Sequence, residues 1–466
     1  MNKDLNELGS GINIFISPIK KKESKIVQLH CLGFQMKELI RKIYLRLQVD
    51  RNTPIAFADT FRHYYFDIGW YGLLNGTTLS FLSYFAVRMG ATSSQLGFIT
   101  AGPAVISLIF ALPAGVILKR FPINRATFIS ASITRIFYLV LIFLPFIQNS
   151  ALVIVLVILI TIIMSIPAVF STVGFNTAFA VNIPDEYRAH VAGVRNAAFA
   201  VVTIVVSLIS GYILNHIPFP NGYVIVFAIG TIGAAASSVE LFRLIPHAEK
   251  GSLEIAANAS ELPSRGWFAD RIVEGFRSFR KQIRFELLRG KSGTPILLLT
   301  LITFALYISA PVIPVYLVNR FHFSDQVLSI GMACFNFTIF LGSLNLDRAE
   351  RKIGRKRAIG LGFTLMSTFP AILIFMHEPL LYYAGNLISG IGSALVNGEL
   401  FNYLYERIPA NDHTSGIAWF TLSSNAAVLT GALLGPLIAN QFGFIISMIL
   451  FTILRFTVSM IVLRWG

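Results

Sequence analysis

Runs of about twenty apolar residues recur from Gly69 to the end of the chain, and no other sequence feature limits the possible folds so strongly. A helix rises 1.5 Å per residue and so needs about twenty residues to cross the roughly 30 Å hydrocarbon core of a bilayer, whereas buried soluble helices show apolar runs of about 10–14. The runs lie near 67–88, 95–118, 126–147, 151–174, 192–214 and 223–245, and then near 294–318, 325–346, 358–376, 379–401, 414–438 and 443–464. Composition agrees: charged residues are 13% of the chain and hydrophobic ones 55%, against roughly 25% and 45–50% in soluble domains. The chain reads as an all-α membrane protein with twelve transmembrane helices.

A net charge of +15 would suggest nucleic acid in a soluble domain, so the position of the basic residues decides its meaning. The twelve spans put 34 of the 38 Lys and Arg on one side. Only Arg88 and Arg320 fall on the other, and Arg135 and Arg455 lie within spans. Positive charge marks the cytoplasmic face, which places both termini and the long central segment there, in a multi-pass protein of the cell (cytoplasmic) membrane. The excess charge is thus topological, and no nucleic-acid partner is expected. Cys31 and Cys334 are too far apart in character to suggest a disulfide or thiolate site. No signal peptide is read, so the first span would direct insertion.

Four segments follow: a basic cytoplasmic tail at 1–66, a six-helix bundle at 67–245, a central cytoplasmic loop at 246–293 and a second six-helix bundle at 294–466. The tail and the loop each carry a basic stretch with an apolar stripe. Leu39, Ile40, Ile43 and Leu47 alternate with Lys37, Arg41, Lys42 and Arg46, and Phe268, Ile272, Phe276 and Phe279 with Arg271, Arg277 and Arg280. Both are expected to be amphipathic helices lying on the lipid surface, with ordinary solvated loops as the alternative.

Self-similarity converts the helix count into an architecture. At an offset of 232, residues 94–96 fall on 326–328 and the basic loop 119–125 on 351–357; at 225, Ile183 and Pro184 fall on Ile408 and Pro409 and Asn215 on Asn440. Near-equal offsets carry spans one to six onto seven to twelve in the same orientation. Two parallel six-helix repeats related by a pseudo-twofold axis along the membrane normal place a substrate site at their interface.

The loop after the second span of each half resembles the signature of the major facilitator superfamily, a Gly followed by Asp-Arg and then Gly-Arg-Arg/Lys. Gly115, Arg120 and Arg125 match it in the first half, where Lys119 replaces the acidic residue and Pro122 the Gly; Asp347, Arg348, Gly354 and Arg355 match it in the second, with extra residues between. The resemblance covers about 66–466 and implies the fold of that superfamily and a gradient-driven transporter working by alternating access. Such a loop sets fixed cations beside the cytoplasmic helix ends, where carboxylates or helix C-terminal carbonyls could latch a gate, with plain positive-inside bias as the alternative; Asp67, Asp185, Glu186, Asp347, Glu399 and Glu406 are the nearby acidic candidates.

Ionisable groups at mid-membrane cost at least about 2.5–3.5 kcal/mol, so each invites a functional reading. Arg135 is the leading one for substrate, with a structural ion pair as its competitor; Arg455 and Glu240 are read as structural. On or beside the first, fourth, seventh and tenth spans, which the resemblance makes cavity-lining, Asn75, Thr78, Asn176, Tyr307, Asn336, Asn386, Asn397 and Asn425 could bind a polar uncharged or amphipathic ligand or merely bond neighbouring helices. A Gly-Pro stretch at Gly431, Gly435 and Pro436 loosely resembles an exporter motif and leans the reading toward efflux. No metal, phosphate-loop or catalytic motif is present, so neither enzyme activity nor a cofactor is expected. The partners would be the lipid bilayer, a small organic solute and a coupling ion such as H⁺, and the protein a monomer. A lipid or lipid-linked flippase and a non-transporting receptor or scaffold remain the alternatives.

Overall fold

A computed structural model describes residues 55–118, 121–245, 292–409 and 412–465, and the elements in them are helical. The first six passes are α1 (Ile55–Leu74) with α2 (Ser80–Arg88), α3 (Ser93–Leu118), α4 (Ile123–Leu141), α5 (Ser150–Asn182), α6 (Asp185–His216) and α7 (Asn221–Arg243). The last six are α8 (Gly293–Tyr307) with α9 (Ile313–Asn319), α10 (Asp325–Leu344), α12 (Arg355–Phe375), α13 (Pro379–Arg407) and the two arms of α14 (His413–Trp465), which turns at Gly443; α11 (Leu346–Ile353) is a short amphipathic link. Eight of these helices are individually long and apolar enough to cross a membrane. The broken first and seventh passes, α13 and the double pass of α14 bring the total to twelve. At Gly443, φ is +73°, a left-handed backbone that a side chain would strain.

Helix ends differ from the sequence expectation in a consistent way. The first helix begins at Ile55, twelve residues before Asp67, and the fourth and fifth passes, expected to end at 174 and start at 192, continue to Asn182 and from Asp185. Asn176, Thr177 and Asn182 make 175–182 less apolar than the run before it, but no Gly or Pro occurs between Gly174 and Pro184, so the backbone continues its hydrogen-bond ladder. At 33 residues α5 is about 50 Å long and projects beyond the hydrocarbon. The surface helices expected near 37–47 and 268–283, and Arg120 of the basic loop, lie outside the described residues.

The repeat is visible in the helix boundaries. The offset of 232 carries the first residue of α3 onto that of α10 and the first residue of α4 onto that of α12, while 225 carries the last residue of α5 onto that of α13. Packing repeats too: α5 lies against α3 and α4 as α13 lies against α10 and α12, and α4 against α7 as α12 against α14.

Even the breaks correspond. The first pass is interrupted by a π-helical turn at Asn75–Leu79, and 232 residues later α8 ends at Tyr307. Each break frees backbone carbonyls that a lipid environment cannot satisfy. In the first half hydroxyls do so: Thr77 Oγ1 donates to Leu73 O at 2.7 Å and Ser210 Oγ to Gly76 O at 3.2 Å. In the second half Arg455 donates to Ala305 O (3.1 Å), Leu306 O (3.4 Å), Met366 O (3.0 Å) and Ser309 Oγ (2.6 Å).

The halves touch through α6 on α10, α3 on α14 and α2 on α9. Among the described residues, the hydrogen bonds and ion pairs joining them lie at one end. Arg88 Nη2 donates to Phe323 O at 2.6 Å and sits 3.6 Å from Asp325 Oδ1, which also accepts from Tyr223 OH at 2.9 Å; Asn440 meets Ser93 and Ser94 at 3.4 and 3.3 Å.

Candidate functional site

Asp67 stands on α1 two turns before the π-helical turn and is 4% exposed. Its Oδ1 lies 3.7 Å from Arg135 Nη2 on α4, and its Oδ2 lies 3.5 Å from Arg195 Nη2 on α6. Both separations exceed the 2.7–2.9 Å of a direct charge-assisted hydrogen bond, so the carboxylate is held mainly by a serine. Ser237 Oγ on α7 donates to Asp67 Oδ1 at 2.5 Å while accepting from Arg135 Nη2 at 2.7 Å, and Ser238 Oγ accepts from Arg135 Nη1 at 2.9 Å.

Arg195 is fixed differently. Its guanidinium carbon lies 4.3 Å from the centre of the Phe175 ring, 5.4 Å from Phe179 and 5.5 Å from Tyr64, so aromatic faces supply much of its electrostatic partner. The Nε atom is buried without a hydrogen-bond partner. Next to the cluster lies a second charged group: Glu240 accepts from Arg243 at 3.0 Å and lies 2.7 Å from His63 Nδ1.

These charges line a cavity of about 290 Å³ whose walls include Tyr71, Leu74, Thr134, Tyr138, Ser171, Thr172, Phe175 and Asn176. A second cavity of about 400 Å³ lies in the other half between α8, α12, α13 and α14, lined by Thr303, Leu306, Tyr307, Met366, Ser393, Asn397, Leu400, Phe420, Ser424 and Asn425. An apolar groove between α4 and α7, lined by Phe128, Ile136, Leu139, Val239 and Phe242, also reaches Arg135.

The structure distributes the sequence candidates unevenly. Arg135 and Asn176 line the first cavity, and Tyr307, Asn397 and Asn425 the second. Asn75 opens the π-helical turn and is half-buried, and Thr78 is fully buried against Gly230 of α7; neither lines either cavity. Asn336 and Asn386 each donate to a carbonyl one turn back in their own helix, Met332 O at 2.9 Å and Tyr382 O at 2.8 Å. Asp67 and Arg195 were not among the substrate candidates. A span starting at 192 leaves Arg195 at its very edge; the helix that starts at Asp185 places it ten residues in, about a third of the way along.

The basic loops also differ. Gly115 lies in the last turn of α3 with open space beside it, and Arg125 is exposed on the first turn of α4. Asp347 and Arg348 lie in α11, where Arg348 donates to Asn345 Oδ1 at 3.0 Å. Gly354, with φ +76°, joins α11 to α12. Arg355 meets Glu350 at 2.7 Å, Glu406 at 3.3 Å and the fully buried Glu399 at 3.5 Å. Its contacts therefore tie α11, α12 and α13 together within one half. The Gly431–Gly435 stretch packs on the backbone of Phe304 and Ile308 at the break of the seventh pass.

A sequence model of the Major Facilitator Superfamily matches residues 69–288 and 295–466. No curated protein shows a significant sequence match. Among solved structures, a mutant form of the nucleoside transporter NupG aligns with a TM-score of 0.61 at 13% identity, covering 87% of this chain and 99% of that one. A mutant peptide transporter POT aligns at 0.63 and 13%, covering 87% and 93%. The xylose transporter XylE from E. coli, in a partially occluded inward-open conformation, aligns at 0.60 and 14%, covering 86% and 96%.

Proposed function

This chain belongs to the Major Facilitator Superfamily, as a multi-pass secondary transporter rather than an enzyme, and from that premise we propose that it moves a small organic solute by alternating access. The observation that carries the reading is the pair of corresponding cavities, one in each half, beside halves that are bonded at their Arg88 end. Opening that end and closing the opposite one would expose the cavities alternately to the two sides, as a parallel repeat permits. The basic end is cytoplasmic in this proposal, the membrane is the cell membrane and the protein is a monomer. The direction is export, on the Gly-Pro stretch alone, and an ion gradient, with H⁺ as the first ion to try, supplies the drive.

A thermal-shift screen of the purified protein against diverse solutes, followed by counterflow of the best ligand in liposomes, tests the proposal. Exchange of labelled for unlabelled ligand supports it, and binding without exchange would make the protein a receptor. The groove between α4 and α7 favours one second reading, a lipid flippase, because it joins the lipid face to Arg135. Accelerated scrambling of a fluorescent lipid in the same liposomes would select that reading.

A further inference from the structure

We propose that the substrate is an organic monoanion whose acidic group sits between Arg135 and Arg195. The inference rests on the transporter reading above and gives it a substrate class.

Charge balance is the first reason. Two guanidinium groups face one carboxylate in the first cavity, and Asp67 is the only acidic residue among those lining it. Glu240 is engaged by Arg243 and His63, so Asp67 is the one carboxylate set against the two guanidiniums, the aromatic faces around Arg195 carrying no formal charge. An isolated buried charge is strongly disfavoured, and one added negative charge would neutralise the cluster. Two added charges would overshoot it.

Comparison of the repeats supplies the second reason. The offsets of 232 and 225 superpose the two cavities residue by residue: Tyr71 on Thr303, Leu74 on Leu306, Thr134 on Met366, Ala168 on Ser393, Thr172 on Asn397 and Phe175 on Leu400, every one a lining residue. At the three charged positions the second half has Leu299 for Asp67, Ser367 for Arg135 and Phe420 for Arg195. The same helices therefore form the same cavity without any of these charges, which means that the fold does not require them.

Geometry is the third. Both guanidiniums stand more than 3.4 Å from the carboxylate, and Arg195 Nε has no hydrogen-bond partner, which leaves donors for an incoming oxyanion. Tyr71, Tyr138, Phe175, Leu74 and Ile68 would contact the remainder of the molecule, so an aromatic or aliphatic body fits better than a bare inorganic ion.

Benzoate, 4-phenylbutyrate and decanoate, each paired with its primary amide, provide the test by thermal shift and isothermal titration on the purified full-length protein. At least one acid should bind about tenfold or more tightly than its amide, the advantage expected of charge-assisted hydrogen bonds. Arg195→Gln, which leaves a neutral Asp67 and Arg135 pair, should keep the melting temperature and lose that preference, and Arg195→Lys should restore part of it. Equal binding of acid and amide, no binding of any acid, or an undiminished preference in a folded Arg195→Gln protein would overturn the proposal. Counterflow separates the two readings: an amide exchanged as well as its acid ends the anion proposal and spares transport, whereas an acid bound selectively but never exchanged ends transport and spares the anion site.

Discussion

The two halves share a scaffold yet use buried charge in opposite ways. In the first, Asp67, Arg135 and Arg195 stand at the wall of a cavity, and the break in the first pass is stabilised by hydroxyls. In the second, the corresponding cavity holds carboxamides and hydroxyls, and Arg455, the one deeply buried arginine among the described residues of that half, is bound by backbone carbonyls at the break in the seventh pass and on α12. Duplication thus fixed the helices and their interruptions and left the cavity chemistry free to diverge. Charge beside space can meet a ligand, while charge bound by carbonyls is already satisfied.

Substitutions can break or sharpen that contrast. The largest effect should come from Asp67→Asn, which leaves two guanidiniums buried together; removing one partner of a buried ion pair costs about 3–5 kcal/mol. Thermal unfolding in detergent should show the loss, and a melting temperature equal to wild type would mean that the cluster is solvated and not a buried unit. Arg455→Met should cost less, about 1–3 kcal/mol, because it strands carbonyl acceptors but also removes a desolvated charge. Its transport should fall only with the amount of folded protein, with KM unchanged. A raised KM in that variant would place Arg455 with the substrate and erase the contrast. The smallest effects belong to Asn397→Ala and Asn425→Ala in the uncharged cavity, whose hydrogen bonds stay within their own helices, to Ser393 and Thr421, so each should cost no more than the about 0.6 kcal/mol of a polar contact between membrane helices. A tenfold rise in KM for either would show that the second cavity discriminates between substrates as strongly as the first.

The spans, their parallel repeat and two of the buried cations were legible in the sequence because apolar length and internal offsets survive without any knowledge of packing. Arg135 stood out since it interrupts an apolar run. Asp67 and Arg195 did not, because each lies near an end of such a run, where hydropathy cannot tell a helix that continues from a loop that begins. Deciding that requires the start of α6 at Asp185, directly after Pro184, and the extension of α1 back to Ile55, both helix-propagation effects. Asn336 and Asn386 could not be separated in advance from Asn397 and Asn425: Asn425 also donates to its own helix, at Thr421 O (2.8 Å), so only the direction each helix faces decides which carboxamide lines the cavity. The role expected for the basic loops was only half readable: the acidic partners Glu399 and Glu406 were named, but their helix belongs to the same half as Arg355.

Alternation itself requires the halves to part where Arg88 meets Asp325. Ser93 Oγ lies 3.4 Å from Asn440 Oδ1 across that junction, so Ser93→Cys with Asn440→Cys, in a background with Cys31 and Cys334 replaced by Ser, can bridge it. Flux into liposomes should stop on oxidation and return on reduction. Undiminished flux through the fully oxidised protein would mean that the two halves never separate there, and the alternating mechanism would be wrong.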